Sequence, residues 1–476
     1  MDKMKIEKLA QVIGGQLLEE NNGFVDSIAI DSRQVKSGSV FFALKGETQD
    51  GHKFLENAAD GGASVLIVSD LQRGRQLTEK TGVIVVDDTL KALHRLAKWK
   101  MSQLDVPVLA VTGSVGKTTT RDLVSTMLAS TYKIGVSAKN YNSETGLPLT
   151  VMSFNDDIEV AVLEMGMDAL GQIHDLADIA RPDVAIITNV GVSHLERLGT
   201  VENICRAKLE IVDFFNQKNA LIIPSGGLLE QEAKAKAEQL GFDLTCVDIN
   251  CPSTRMNWQV VVDSVINKGD LGLQFEIENS EGIRKIVRLP IVGGHNVVNF
   301  MLALEAAIAM GVNVDDGIRA VENMTVTGER MKVSTYGNIT VLNDAYNAAP
   351  VSMCSAIETL DVTAKEKGTN VETIAVLGGM NELGSFEVEG HAKVADAVME
   401  KDVDRVITVG DKALLIDKRL LERGYDKFCH YDCVEEACKH VNSLISRPSV
   451  ILLKGSRSFQ IEKFEDAIKE MTNNLM

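Results

Sequence analysis

Val108-Leu-Ala-Val-Thr-Gly-Ser-Val-Gly-Lys-Thr-Thr-Thr120 is the stretch whose reading decides the fold. Val108–Val111 is a short run of apolar, β-favouring residues. Thr112-Gly113-Ser114-Val115-Gly116-Lys117-Thr118-Thr119 is a glycine turn, and Arg121–Ala129 is helix-compatible. Strand, glycine turn and helix in that order aim backbone N–H groups and a helix N-terminus at phosphate. Gly113 and Gly116 permit backbone angles and close approaches that a Cβ would block. Lys117 has the reach for β- and γ-phosphates, and the Thr118 hydroxyl can ligate Mg²⁺. Val111 stands where the usual eight-residue pattern has its first glycine, yet Gly-Lys-Thr-Thr with both flanks reads as a nucleotide-binding loop.

Working outward, Ile158–Leu163 is strand-like and ends at Glu164-Met165-Gly166. Asp183–Ile187 is another strand, ending at Thr188-Asn189 and, shortly after, Ser193-His194. Both alternate with helical patterns, so they are expected to lie parallel beside the glycine-loop strand, with their carboxyl ends toward the phosphates. That position makes Glu164 and His194 candidates for metal ligation or water positioning. In the helical run Val201–Val212, Lys208 shares a face with Ile204 and Ile211. Such a lysine either snorkels to solvent or is paired or modified, because burying an ammonium alone is costly. Residues 220–290 carry sheet-forming and connecting segments. Gly293-Gly-His-Asn-Val-Val-Asn299 then opens a helical run to Met310, where His295 or Asn296 either caps the helix or reads a base.

With 476 residues, the chain exceeds one hydrophobic core. A hydrophobic fraction of 45%, a charged fraction of 24% and a net charge of −18 fit a soluble globular protein and speak against a nucleic-acid partner. No apolar stretch reaches membrane-spanning length and no signal-peptide pattern opens the chain, so a cytoplasmic protein without membrane insertion is expected. A monomer is the expected state. Seven scattered cysteines suit reduced thiols. Cys429, His430, Cys433, Cys438 and His440 match no standard zinc spacing, and packing is the expected role there.

Residues 1–86 read as a small α/β domain, with strand patterns at Phe24–Ile30, Ser39–Gly46 and Ala63–Val68. Ser32, Arg33, Lys45, Gly46 and His52 fall at strand ends, where they are either solvated or a ligand site. Residues 87–326 form the segment around the glycine loop, entered through a connecting helix. From residue 327 on, strands at Ile339–Leu342, Thr373–Leu377, Arg405–Val409 and Ser449–Leu453 each end in glycine or a polar residue, and most precede a helix pattern. That is a doubly wound, Rossmann-like domain without a dinucleotide fingerprint.

Taken together, these residues resemble the Mur ligase family over nearly the whole chain. The carriers include Asp31-Ser-Arg33, Ala43-Leu-Lys-Gly46, Asp50-Gly-His52, the glycine loop, Asn140-Tyr-Asn142, Glu164-Met-Gly166, Thr188-Asn189, His194-Leu-Glu196, Ala207-Lys208, Gly294–Asn299, Arg330-Met331, Asp344-Ala-Tyr-Asn347, Glu382-Leu-Gly384 and Lys454-Gly-Ser456. The likeness is greatest to the branch that adds D-alanyl-D-alanine to UDP-N-acetylmuramoyl-tripeptide (UDP-MurNAc-tripeptide). It implies an α/β protein of three domains: a UDP-sugar-binding domain, a central ATPase with a mainly parallel sheet, and a C-terminal Rossmann-like ligase domain. It also implies ATP and Mg²⁺, and an acyl-phosphate route to an amide.

By the same likeness Gly113, Ser114, Val115, Gly116, Lys117, Thr118 and Thr119 hold ATP phosphates. Asn296 and Asn299 take adenine-side positions, and Arg330, Asp344 and Tyr346 contact ATP from the C-terminal part. Ser32, Arg33, Lys45, Gly46, His52, Asn140 and Asn142 would bind the precursor. Thr118, Glu164, His194 and Lys208 (as a carbamate) would serve Mg²⁺, with Lys117, Lys208, His194 and Glu164 the catalytic set. The chain departs from the family pattern at Ser143, Thr145, Asn343, Ala349 and Gly379. A Mur-type ligase for a different amine, or a non-catalytic precursor-binding paralogue, are the other readings.

Overall fold

The strands Ser39–Phe42 and Val65–Val68 are buried throughout and, Ser39 apart, apolar, because helices cover both their faces. In the computed structural model, which describes residues 3–19, 21–46, 49–137, 141–250, 256–268, 271–324, 331–445 and 447–473, they lie inside the first of two compact units. That unit comprises Met1–Thr112, Tyr132–Ala185 and Leu209–Asn219. Helix α1 (Ile6–Ile13) is followed by strands β1 (Gln16–Leu17), β2 (Ser27–Ala29), β3 (Ser39–Phe42), β4 (Val65–Val68) and β5 (Gly82–Val85), which form a sheet in the order β1-β5-β4-β3-β2. Every pairing is parallel except that of β1 with β5. Alternation divides the core: Val40, Phe42, Val65, Ile67 and Ile84 face one layer, while Phe41, Leu66, Val68 and Val83 face the other. The strand expected over Phe24–Ile30 is parted at Asp26, because Phe24–Val25 pairs instead with Met4–Lys5.

Helix α2 (Thr89–Leu104) is capped by Asp88, whose Oδ1 accepts from Leu90 N at 2.8 Å and Lys91 N at 3.0 Å. Strand β6 (Val108–Thr112) runs on into the glycine loop and α3 (Lys117–Ala129), which belong to the second unit. In the first unit β6 pairs parallel with β8 (Val160–Glu164), and β8 pairs with β7 (Ile134–Val136). Helix α4 (Gly146–Ser153) lies between β7 and β8 in sequence. Asp183, just before β9 (Val184–Ile187), is locked to the start of β6: its N donates to Val108 O at 2.8 Å and its Oδ2 accepts from Val108 N at 2.9 Å.

The second unit comprises Gly113–Thr131, Ile186–Lys208 and Ala220–Met476. It holds α5 (Val201–Leu209), the parallel pair β10 (Ala220–Pro224) and β11 (Asp243–Val247), and an antiparallel sheet of β12 (Trp258–Val260), β13 (Ile266–Asn267), β14 (Leu273–Asn279) and β15 (Arg284–Leu289). Helix α6 (Asn296–Ala309) begins inside the Gly293–Asn299 opening, so Asn296 and Asn299 lie in its first turn. Next come β16 (Lys332–Tyr336), β17 (Ile339–Asn343), α7 (Pro350–Lys367), β18 (Glu372–Gly378), α8 (Glu387–Glu400), β19 (Arg405–Val409), β20 (Phe428–Tyr431), β21 (Ser449–Lys454) and α9 (Lys463–Asn473). Their sheet runs β16-β17-β21-β18-β19-β20, antiparallel only at β16. Leu342, Ala375, Leu377, Val450 and Leu452 face the α7–α8 layer, and Val341, Ile374, Val376, Ile451 and Leu453 the α9 layer. The expected doubly wound arrangement is present. Because β21 is inserted between β17 and β18, the strand order reverses there and opens a crevice at the carboxyl ends of β17 and β21.

Candidate active site

The glycine loop is braced from behind. Ser114 N donates to Asn189 O at 3.1 Å and Val115 N to Asn189 Oδ1 at 3.0 Å. Asn189 Nδ2 and Thr188 Oγ1 both donate to Val115 O, and Gly191 N donates to Ser114 Oγ at 2.9 Å. Gly113 has φ +148°, and a Cβ there would lie 1.9 Å from Thr188 Oγ1, so only glycine fits. Lys117 Nζ folds back to donate to Gly113 O at 2.8 Å, which parks a cation over the cradle. Gly116, with φ +85°, is the residue from which α3 begins.

One cavity gathers Ser114, Val115, Gly116, Lys117 and Thr119 with Asn296, Asn299, Asp344 and Tyr346, and His295, Asn347 and Lys454 also line it. Of the residues expected to hold ATP, Gly113 shapes the loop, Thr118 follows Lys117 on α3, and Arg330 lies outside the described residues. Asn296 and Asn299 are buried. Asn296 Nδ2 donates to Val292 O and Asn299 Nδ2 to Asn296 Oδ1, each at 2.8 Å. Neither His295 nor Asn296 caps α6 through its side chain. His295 is held below the ordinary histidine pKa by burial first, with Lys454 adding to the effect against the pull of Asp344.

Lys454, which ends β21 just before Gly455, is a further residue of the site. It is 2% exposed, pairs with the Asp344 carboxylate and donates to Asn347 O at 3.1 Å. Asp344 Oδ1 also accepts from Met331 N at 3.2 Å. Asp344 and its neighbours are thus fixed by a buried cation at the crevice between β17 and β21.

Lys208 faces inward on α5, and 2% exposure rules out the snorkelling alternative. Burial, and then the charge of Lys117, push its pKa well below the lysine value. His194 has φ +63°, and its Nδ1 lies 2.7 Å from Glu382 Oε2. The Glu382 carboxyl is held below its ordinary pKa by that histidine.

In the first unit, Glu164 is buried at the end of β8. Its N donates to Ser137 Oγ at 3.1 Å, and its Oε1 accepts from Asn142 Nδ2 at 2.7 Å. Asn142 and Glu164, expected in different roles, are therefore direct partners. Asp31 accepts from Arg33 Nε at 3.0 Å and Nη2 at 2.7 Å, and Arg33 is exposed beside half-buried Ser32. Lys45 and Gly46 are exposed, with Lys45 bridged to Asp50. His52 is buried, its Nδ1 2.7 Å from Asp50 Oδ1 and its Nε2 accepting from Ser69 N at 3.0 Å. With both ring nitrogens engaged, His52 props the loop and offers no free atom to a ligand. Asn140 lies outside the described residues.

The family departures have local partners. Asn343 Nδ2 donates to Glu465 Oε2 at 2.6 Å, and Tyr336 Oη donates to Glu465 Oε1 at 2.9 Å, so the carboxylate absent from position 343 is supplied by α9. Gly379 abuts Lys412 and Phe459, with no room for a side chain. Ala349 cannot cap α7 with its own side chain, but its N donates to Ser352 Oγ at 3.1 Å. Ser143 Oγ accepts from Gly146 N at 3.2 Å at the start of α4, and Thr145 Oγ1 lies 3.3 Å from that hydroxyl. In the cysteine-rich stretch, His430 lies 3.1 Å from both Asp417 and Thr408, and His440 stacks on Tyr431. Among the described residues, no three His, Cys, Asp or Glu side chains gather as a metal site. Mg²⁺ in phosphoryl-transfer sites draws much of its coordination from water and phosphate oxygens. The glycine-shaped cradle and the Thr118 hydroxyl beside Lys117 fit such an ion with its nucleotide.

Three family profiles match: "Mur ligase family, catalytic domain" over residues 25–100, "Mur ligase middle domain" over 111–307, and "Mur ligase, glutamate ligase domain" over 329–457. A UDP-N-acetylmuramoyl-tripeptide–D-alanyl-D-alanine ligase of Bacillus subtilis is 33% identical over 97% of this chain and 98% of its own. One from Escherichia coli is 28% identical over 99% of each. Among solved structures, MurF from Acinetobacter baumannii superposes with TM-score 0.88 at 26% identity over 99% of each chain. MurF ligase from Thermotoga maritima, in complex with ADP, gives 0.80 at 25% identity over 95% of this chain and 99% of its own. With the braced phosphate loop and the doubly wound crevice in place, these matches show that the chain belongs to the Mur ligase family.

Proposed function

We propose that this chain is an ATP-dependent ligase that joins D-alanyl-D-alanine to UDP-MurNAc-tripeptide, a step of peptidoglycan precursor synthesis. The observation that carries the reading is the single cavity lined by the phosphate loop, Asn296, Asn299, Asp344, Tyr346 and Lys454. The near full-length likeness to ligases of that name supports the substrates. The proposed division of labour is precursor binding by residues 1–86, ATP chemistry by 87–326 and amine delivery by 327–476. In the first segment Ser32, Arg33, Lys45 and Gly46 are the proposed precursor contacts, with His52 shaping their loop.

In the reaction, a tripeptide carboxylate oxygen bonds to the γ-phosphorus as the bond to the β-bridging oxygen breaks, giving an acyl phosphate and ADP. The neutral amine nitrogen of D-alanyl-D-alanine then bonds to the acyl carbon, loses a proton, and phosphate leaves. Lys117 and the loop N–H groups stabilise charge that builds on the phosphoryl oxygens, usually the largest catalytic contribution. Asp344, Tyr346 and Lys454 orient the nucleotide from the crevice. Thr118, His194 and Lys208 as a carbamate, with Glu164, are the proposed Mg²⁺ partners; the ion would add neutralisation of phosphate charge. The uncharged form of an amine is the one that reacts with CO₂, and burial that pushes the Lys208 pKa down favours that form, so Lys208 suits carbamylation. The test is product formation with D-alanyl-D-alanine set against other amines: amide formed with another amine alone would move the acceptor, and none formed with any amine would sink the ligase reading.

A further inference from the structure

Two turns meet at His194 and Glu382. His194 and Glu382 both have φ +63°, a conformation non-glycine residues adopt rarely. Gly384, at φ +52°, brings its backbone so close to Glu196 that a Cβ would lie 3.0 Å from Glu196 Cα, and Glu196 N faces Glu382 O at 3.4 Å. The turn that carries Glu382 is fastened on several sides. Met380 N donates to buried His391 Nε2 at 3.0 Å, Asn381 N donates to Ser456 Oγ at 3.0 Å, and Leu383 is buried. Two left-handed residues cost more stability than a half-exposed ion pair returns, so fold stability does not account for the arrangement. What it does is set a carboxylate against one nitrogen of one imidazole: His194 Nδ1, buried and making no aligned hydrogen bond in this structure, lies 2.7 Å from Glu382 Oε2.

We infer that Glu382 is a positioning residue for the ligase reaction, holding the Nδ1 proton of His194 so that Nε2 presents its lone pair to Mg²⁺ or to water bound on it. A carboxylate on the far nitrogen of a ligating histidine sets both the tautomer and the ring orientation. The inference rests on the ligase reading above, through the metal role given to His194. Glu382 itself touches neither nucleotide nor substrate in this assignment.

The test uses the full-length chain, Glu382→Ala and Glu382→Gln. ¹⁵N-histidine spectra at alkaline pH, with the His194 signal assigned by His194→Gln, read the tautomer directly. Wild type is expected to carry its His194 proton on Nδ1, and Glu382→Ala to shift toward the Nε2–H form. Binding of Mn²⁺ in the presence of ADP, followed by electron paramagnetic resonance, is expected to weaken roughly 10–100-fold in Glu382→Ala. Glu382→Gln, whose amide oxygen still accepts from Nδ1–H, is expected to recover part of that loss and the wild-type tautomer. An unchanged His194 signal together with unchanged Mn²⁺ affinity in a folded Glu382→Ala overturns the inference. Failure of wild type to form an amide with any amine would overturn the ligase reading and leave the tautomer result standing, so the two failures are distinguishable.

Discussion

Lys117 concentrates the proposed chemistry in one side chain. Its ammonium already sits over the loop carbonyls, so Lys117→Ala is expected to leave circular dichroism and melting essentially unchanged. Amide formation should fall at least ~10²–10³-fold, the loss typical of one preorganised charge-stabilising donor; near-normal turnover would remove Lys117 from that role. Lys454 should behave differently. It is buried against Asp344, and Lys454→Met is expected to cost roughly 3–5 kcal/mol in urea unfolding because a carboxylate is left unpaired. Glu465 gives a pH-dependent case. Burial works against its carboxylate, yet hydrogen bonds from Asn343, Ser334 and Tyr336 hold its pKa below the ordinary value. A lowered carboxyl pKa contributes stability above the unfolded-state value, and that contribution is lost as pH falls through the folded-state value. Asn343→Asp should reverse this: two facing carboxylates destabilise the fold by roughly 1–3 kcal/mol at neutral pH, and the penalty shrinks as acid protonates one of them. A variant whose deficit did not shrink on acidification would contradict the pairing.

Gly113→Ala belongs to the scale of elements, because its Cβ would collide with Thr188 Oγ1 and push the loop off its brace on the strand-end residues Thr188 and Asn189. ATP binding measured by calorimetry should weaken about tenfold or more, ~1.4 kcal/mol, and wild-type affinity would show that the brace is dispensable. Strand, loop and α3 were legible in the sequence because glycine spacing and apolar runs are local signals. The strand patterns of the C-terminal sheet were legible for the same reason. What stayed hidden depends on partners far along the chain. Nothing around Asn343 announces Glu465, nothing near Asn142 announces Glu164, and the brace from Thr188 and Asn189 exists only once their strand lies beside the loop. Lys454 had a usable signal, a lysine at a strand end, but its burial against Asp344 needed the inserted position of β21. Phe24–Ile30 parted at Asp26 because pairing with Met4–Lys5 outweighed its own continuous β pattern.

At the scale of the whole molecule, the departures from the family pattern are absorbed locally: Asn343 by Glu465, Ala349 by Ser352, and Gly379 by Lys412 and Phe459 filling its space. Those substitutions therefore do not by themselves argue for a non-catalytic paralogue. Lys208 adds a test at this scale. Buried, with its pKa pushed well below the lysine value, it should take up CO₂ as a carbamate, so activity in CO₂-depleted buffer is expected to fall and to return on adding bicarbonate; indifference to bicarbonate would contradict the carbamate. The most direct measurement of the central claim is phosphate release from ATP with UDP-MurNAc-tripeptide, with and without D-alanyl-D-alanine, alongside mass analysis of the product. Release that requires both, with the pentapeptide precursor appearing, is the predicted result. No release in any combination by a chain that still binds ATP would contradict it.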